Sequence, residues 1–189
     1  MTHDQLLHVF RRSGALLEGH FRLSSGLHSP GYMQSALVLQ HPRDAAALGE
    51  ALAPSLGGLG ATAVLSPALG GIVIGHEVAR ALGVRALFAE RQDGRLTLRR
   101  GFTLGPDDRV VVVEDVVTTG GSTRETIEVA RAAGATVVAA AAIVDRRGEA
   151  ADLGVPFHAL LRVSLPTYDP AVCPLCAQGV SVVKPGSRN

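Results

Sequence analysis

Residues 110–123 read Val110-Val-Val-Val-Glu-Asp-Val-Val-Thr-Thr-Gly-Gly-Ser-Thr123, and they narrow the possible folds sharply. Four consecutive valines are β-branched and apolar on both sides, which predicts a strand buried on two faces. Such strands belong to parallel sheets covered by helices. The valines run straight into two carboxylates, Glu114 and Asp115. Buried, unpaired carboxylates are costly, so this pair must meet solvent or a ligand. Val116 and Val117 follow, and then Thr118, Thr119, Gly120, Gly121, Ser122 and Thr123 open a helix. Glycine lets a ligand approach the backbone closely, hydroxyls donate hydrogen bonds, and a helix N-terminus offers free N–H groups with positive dipole character. Together they make a phosphate cradle. An ordinary strand-to-helix turn needs one capping hydroxyl, not four with two glycines and an acidic pair.

The cradle lacks the Gly-Lys-Ser/Thr ending of a nucleotide-binding P-loop, and it lacks the G-x-G-x-x-G of a dinucleotide site. Carboxylates placed just ahead of a phosphate cradle suit a sugar phosphate. They can accept hydrogen bonds from ribose hydroxyls while the loop holds the 5′-phosphate.

The rest of the chain agrees with an α/β fold. Of its 189 residues 47% are hydrophobic and 19% charged, which excludes disorder and leaves one medium domain with a sizeable core. Residues 63–66, 84–89, 109–115 and 136–144 read as strands. Helices are expected at 4–12, 42–56, 72–82 and 122–133, the last three stopped by glycines. Residues 19–32, rich in glycine and serine, suggest short strands and tight turns. In an open parallel sheet ligands bind beyond the carboxyl ends of the strands, so the loops after Leu65, Ala89, Asp115 and Val144 are where chemistry is expected. The net charge of +1 offers no field for nucleic acid or a membrane surface. No apolar run reaches the roughly 20 residues of a membrane span. The polar N-terminus has no signal-peptide core, so a cytoplasmic protein is expected.

The segment 110–123 resembles the phosphoribosyl-pyrophosphate signature of type I phosphoribosyltransferases. That resemblance implies their fold, a central, mainly parallel sheet flanked by helices with a small N-terminal hood. It implies a single domain over 1–189, with 1–40 and the C-terminal segment building the hood. It also implies roles. Glu114 and Asp115 would hold the ribose 2′- and 3′-hydroxyls, and 118–123 the 5′-phosphate. Mg²⁺ would be carried by the substrate, with both acids nearby.

Other segments are similar to the orotate branch of that family. Phe21-Arg-Leu-Ser-Ser-Gly-Leu-His-Ser-Pro30 matches a motif F-x-L-x-S-G-x-x-S-P that hoods the base, placing Ser25 and Gly26 against orotate together with Thr119. Leu69, Gly70 and Gly71, after the first core strand, are similar to the pyrophosphate loop. Arg146, in Val144-Asp-Arg-Arg-Gly148, matches the arginine set against the base, and its planar fork suits a carboxylate. Residues 91–101 match a mobile catalytic loop that reaches a neighbouring subunit of a homodimer. There Arg91, Arg99 and Arg100 would meet pyrophosphate. The Asp93-Gly94 pair within it also reads as a tight hairpin.

The chain departs from the best-known orotate enzymes at Ser24 and Gly70, where they carry lysines. Its single lysine is Lys184, so arginines are expected to replace the catalytic lysine. Cys173 and Cys176 form one Cys-x-x-Cys, too few ligands for a structural zinc within one chain; two small buried thiols are expected. The implied activity is transfer of a phosphoribosyl group to orotate. Two alternatives stand beside it: a purine phosphoribosyltransferase, and a regulator that senses phosphoribosyl pyrophosphate without turnover.

Overall fold

The computed structural model describes residues 1–23, 25–147 and 152–184. Ser24 and Gly148, noted above, lie outside them. Helix α1 (His3–Arg12) starts at a capping box, Thr2 and Gln5 bonding each other's backbone N–H. An antiparallel hairpin follows, β1 (Leu16–Arg22) and β2 (His28–Met33). Next come α2 (Ala36–Leu39) and α3 (Pro42–Leu52), the latter with proline in its first turn. The chain then alternates: β3 (Ala63–Pro67), α4 (Gly71–Leu82), β4 (Arg85–Gln92), β5 (Arg95–Leu98), β6 (Arg109–Val117), α5 (Gly121–Ala132), β7 (Thr136–Asp145) and β8 (Phe157–Arg162). A short α6 (Pro174–Ala177) lies near the C-terminus.

The main sheet has the order β5-β4-β3-β6-β7-β8 and is parallel except for the β4–β5 pair. Period-two alternation divides its core. Val111 and Val113 join Leu48, Leu52, Ile74 and Val78 of α3 and α4 on one face. Val110 and Val112 join Ile127 and Ala130 of α5 on the other. No described helix is long and apolar enough to cross a membrane.

The expected strands and helices form, with informative differences. β6 continues past the acids to Val117, because Val116 and Val117 pair with Val144 and Asp145 of β7. The carboxylates therefore project from within the strand rather than from its last two positions. Helix α3 ends at Leu52, and two short 3₁₀ turns carry the chain to Leu59. β4 runs on to Gln92 because Asp93 and Gly94, with φ of 51° and 82°, close a tight hairpin onto β5. The hairpin read at Asp93-Gly94 thus forms, whereas β8 was not read from sequence.

The expectation of an isolated cysteine pair is overturned. His20 and His28 of the hairpin meet Cys173 and Cys176, the four ligand atoms lying within 4.8 Å of one another. These residues are about 150 positions apart, so no local spacing reveals the group.

Candidate functional site

Chain direction across the sheet reverses between β3 and β6. From β3 the chain crosses to β4 on one side, and from β6 to β7 on the other. Such a switch point leaves a crevice at the carboxyl ends of the two strands. The loops after β3 and β6 flank it, and the turn after β7 lies beside them.

Glu114 and Asp115 occupy this edge. Burial pushes Glu114 up from its ordinary 4.5 to about 7, with the neighbouring Asp115 charge adding to the rise and the Thr123 hydroxyl opposing it. Burial also raises Asp115, against the backbone N–H groups of Val116 and of Asp115 itself. Neither carboxylate is held down by a cationic side chain among the described residues. An acidic pair left uncompensated at a switch point is prepared for partners from outside the chain.

The cradle adjoins the pair. The N-cap of α5 is Gly120, at φ 73°, and no side chain caps the helix. Thr119 Oγ1 lies 3.4 Å from the Gly121 N–H, a long hydrogen bond. The helix N-terminus therefore stays available to an anion. Glycine suits position 120, since the backbone is left-handed and a Cβ would sit 2.7 Å from the Leu153 side chain, which would have to shift. Arg124 braces the turn, donating to the carbonyls of Thr119 at 2.9 Å and Asp152 at 3.3 Å. Thr118, Thr119 and Gly121 are exposed and Ser122 half-buried. Thr123 departs from expectation. Its side chain is fully buried and its hydroxyl donates to Glu114, so that hydroxyl is engaged within the chain.

The loop after β3 crosses toward the same acids. Its Ala68–Leu69 peptide is cis, and Leu69 is exposed. A Cβ on Gly70 would lie 2.8 Å from Asp115 Oδ1, so loop backbone and carboxylate share one space. Gly71 opens α4, again with no side-chain cap.

Arg146 follows β7, its N–H bonded to the Val117 carbonyl at 2.8 Å. Its side chain is half-buried, and Nε has no hydrogen-bond partner among the described residues. Burial lowers its pKa while the Tyr32 hydroxyl group, from β2, acts in the other direction. The neighbouring Asp145 is spoken for, at 3.0 Å from both Arg147 and Arg162. Arg146 is thus a partly desolvated cation with an unused donor, which suits a ligand carboxylate. Sequence reasoning missed Tyr32, which lies far from Arg146 along the chain and acts on it only through the tertiary fold. Ser25 and Gly26 sit exposed at the hairpin tip, and no hydrogen bond among the described residues ties them to Arg146 or the cradle.

Segment 91–101 is less free than expected. Leu96 is buried at 4% exposure in the core under α5, and its N–H donates to Glu125 at 2.7 Å. Arg91 pairs with Glu125 at 3.1 Å, and Arg100 binds Glu90 through two 2.8 Å bonds. Apolar anchorage that the arginine-rich composition concealed holds the hairpin down. Arg99 remains exposed.

Comparison with known proteins points the same way. The phosphoribosyl transferase domain profile matches residues 38–153. The chain is 54% identical over 188 residues to the orotate phosphoribosyltransferase of Pelotomaculum thermopropionicum, covering 100% of this chain and 99% of that protein. It is 56% identical over 185 residues to that of Carboxydothermus hydrogenoformans, covering 97% of each. Among solved structures, the orotate phosphoribosyltransferase from Aeropyrum pernix superposes with a TM-score of 0.71 at 30% identity, over 84% of this chain and 93% of that one.

Proposed function

The chain belongs to the orotate phosphoribosyltransferase family, and we propose that it transfers the phosphoribosyl group of 5-phosphoribosyl 1-pyrophosphate to orotate. The products are orotidine 5′-monophosphate and pyrophosphate, a step of pyrimidine nucleotide synthesis. The observation that carries this reading is the uncompensated Glu114–Asp115 pair beside the uncapped N-terminus of α5.

In this reading Glu114 and Asp115, with Val116 and Val117 as their scaffold, accept hydrogen bonds from the ribose hydroxyls. Thr118, Thr119, Gly120, Gly121 and Ser122 hold the 5′-phosphate by backbone N–H and hydroxyl groups. Leu69, Gly70 and Gly71 line the pyrophosphate. Arg146 receives the orotate carboxylate, and Ser25, Gly26 and Thr119 complete the base pocket. A ring nitrogen of orotate attacks the anomeric carbon as the bond to pyrophosphate breaks. The orotate ring is itself acidic, so the protein contributes position and charge stabilisation rather than proton transfer.

Magnesium fits this site, because two carboxylates with no cationic partner lie where the pyrophosphate and ribose oxygens would carry the ion. When bound it neutralises charge on the departing pyrophosphate. We place the enzyme in the cytoplasm as a homodimer, with no membrane or nucleic-acid partner and with segment 91–101 serving the neighbouring subunit. Arg99 is exposed for that task, whereas Arg91 and Arg100 would exchange exposed ion pairs, typically worth no more than ~1 kcal/mol, for pyrophosphate oxygens.

A base-specificity assay tests the reading. Phosphoribosyl pyrophosphate and Mg²⁺ are supplied with orotate, uracil, adenine, hypoxanthine or xanthine, and turnover of orotate alone is expected. Turnover of a purine instead would make this a purine enzyme, and tight binding with no turnover a sensor.

A further inference from the structure

We infer that His20, His28, Cys173 and Cys176 form a structural zinc site that fastens the C-terminal segment to the N-terminal hairpin. The four residues bring two imidazoles and two thiols, a set borderline-soft zinc prefers, and the cysteines are free rather than disulfide-bonded. A tetrahedral ion with ordinary bond lengths spaces its ligand atoms ~3.3–3.8 Å apart. Cys173 Sγ lies 3.5 Å from His20 Nε2, and Cys176 Sγ lies 3.8 Å from His20 Nε2 and 3.4 Å from His28 Nδ1. The His20 Nε2 to His28 Nδ1 distance is 2.8 Å, so admitting an ion asks the two rings to part by about half an ångström.

The surroundings are prepared for it. His20 Nδ1 lies 2.7 Å from the Val180 carbonyl, so it carries the proton and donates there, turning a bare Nε2 toward the cluster. That outer bond is the usual means of orienting a zinc-bound histidine. A bulge in β1 breaks the alternation of that strand, so His20 and Phe21 are both buried in succession. Cys173 is the N-cap of α6 and Cys176 stands within its single turn, which presents both sulfurs to one side. Two thiolates and two neutral imidazoles leave a divalent ion with no net charge, which suits a site where three of the four ligand residues are buried.

The segment has little else to hold it. Val172, Val180, Val182 and Val183 are exposed, and α6 buries no residue within its helix. Among its ties are backbone bonds to the histidine strands, Tyr168 with His28 and Val183 with His20 and Arg22, and ahead of them Leu165 packs against the core. A short segment with few buried side chains gains from a staple, and four protein ligands make the site closed, hence structural rather than catalytic.

The test is made on the full-length protein, from zinc-supplemented cells and after gel filtration. About one zinc per chain is expected by elemental analysis. Cys176→Ser, at the exposed ligand, should lose the zinc and melt several degrees lower while remaining folded. Chelated wild-type protein titrated with Co²⁺ should develop a thiolate-to-cobalt absorption band that the variant lacks. Zinc-free wild-type protein with no such band would overturn the site. So would a disulfide between the two cysteines in freshly purified protein, or a full zinc equivalent retained by both Cys173→Ser and Cys176→Ser.

Discussion

The Thr123 hydroxyl, in the first turn of α5, donates a hydrogen bond to the Glu114 carboxylate near the carboxyl end of β6. That bond works against burial, which holds Glu114 at about 7. The sign of the resulting pH dependence follows. Below the ordinary 4.5 the carboxyl is protonated whether the chain is folded or not. As pH rises toward 7 the unfolded chain ionises first, so folding stability falls and then levels. The loss is on the order of 3 kcal/mol, at about 1.4 kcal/mol per unit of pKa. Urea unfolding of the ligand-free protein across this window should show the decline, and Glu114→Gln should make it shallower, the part that remains coming from Asp115, which burial also raises. Identical pH profiles for both proteins would show that Glu114 titrates normally. Asp145, held low by its arginines, loses its contribution only below the ordinary 3.8 and does not confuse the window.

Thr123→Val keeps the buried shape and removes the donor. We expect a fold that melts within a few degrees of wild type and turnover about 10-fold lower, the loss of one hydrogen bond to a charged group. A valine variant with wild-type kcat/KM would mean that Glu114 needs no orientation.

Asp115→Asn should lower turnover 100-fold or more, on the order of 3 kcal/mol of transition-state stabilisation. The decisive control removes Glu114 as well. Steady-state rates near wild type in that double variant would dismiss the acidic pair as the ribose site.

Gly70→Ala places a methyl 2.8 Å from Asp115 Oδ1. Backbone φ at Gly70 is −57°, so alanine is tolerated conformationally and the carboxylate must yield. Turnover should fall at least about 10-fold, the cost of a misplaced group, with little change in melting temperature. Equal losses at Gly105→Ala, where a Cβ meets open space, would point to a general defect.

Arg146→Ala should weaken orotate by ~2–5 kcal/mol, because a desolvated charge-assisted pair is removed. Phosphoribosyl pyrophosphate should bind almost as before. Calorimetric titration of each ligand separates the outcomes. Unchanged orotate affinity reduces Arg146 to a turn residue and passes the carboxylate to the hairpin tip near Ser25.

Much of the site was legible because its determinants are local. The run of valines marks a two-sided strand, and Glu114, Asp115 and the glycine–hydroxyl turn follow it within a few residues. Period and spacing encode such features directly. Arg146 could be placed by the same logic, as the residue after the fourth core strand. The anchorage of segment 91–101 was not legible, since four arginines mask the single buried leucine, Leu96, whose partner Glu125 lies 29 residues away.

The sequence by itself therefore determined the parallel sheet, the acidic pair and the cradle that follows it. Only the tertiary structure decided that Thr123 turns inward to Glu114, that Gly70 abuts Asp115, and that Tyr32 approaches Arg146. It alone joined His20 and His28 to Cys173 and Cys176. Helix phase and sheet order set these meetings, and both emerge only when the whole core packs. A strand period of two and a helix period of 3.6 fix what neighbours along the chain can do, whereas contacts between distant segments depend on which elements close against one another.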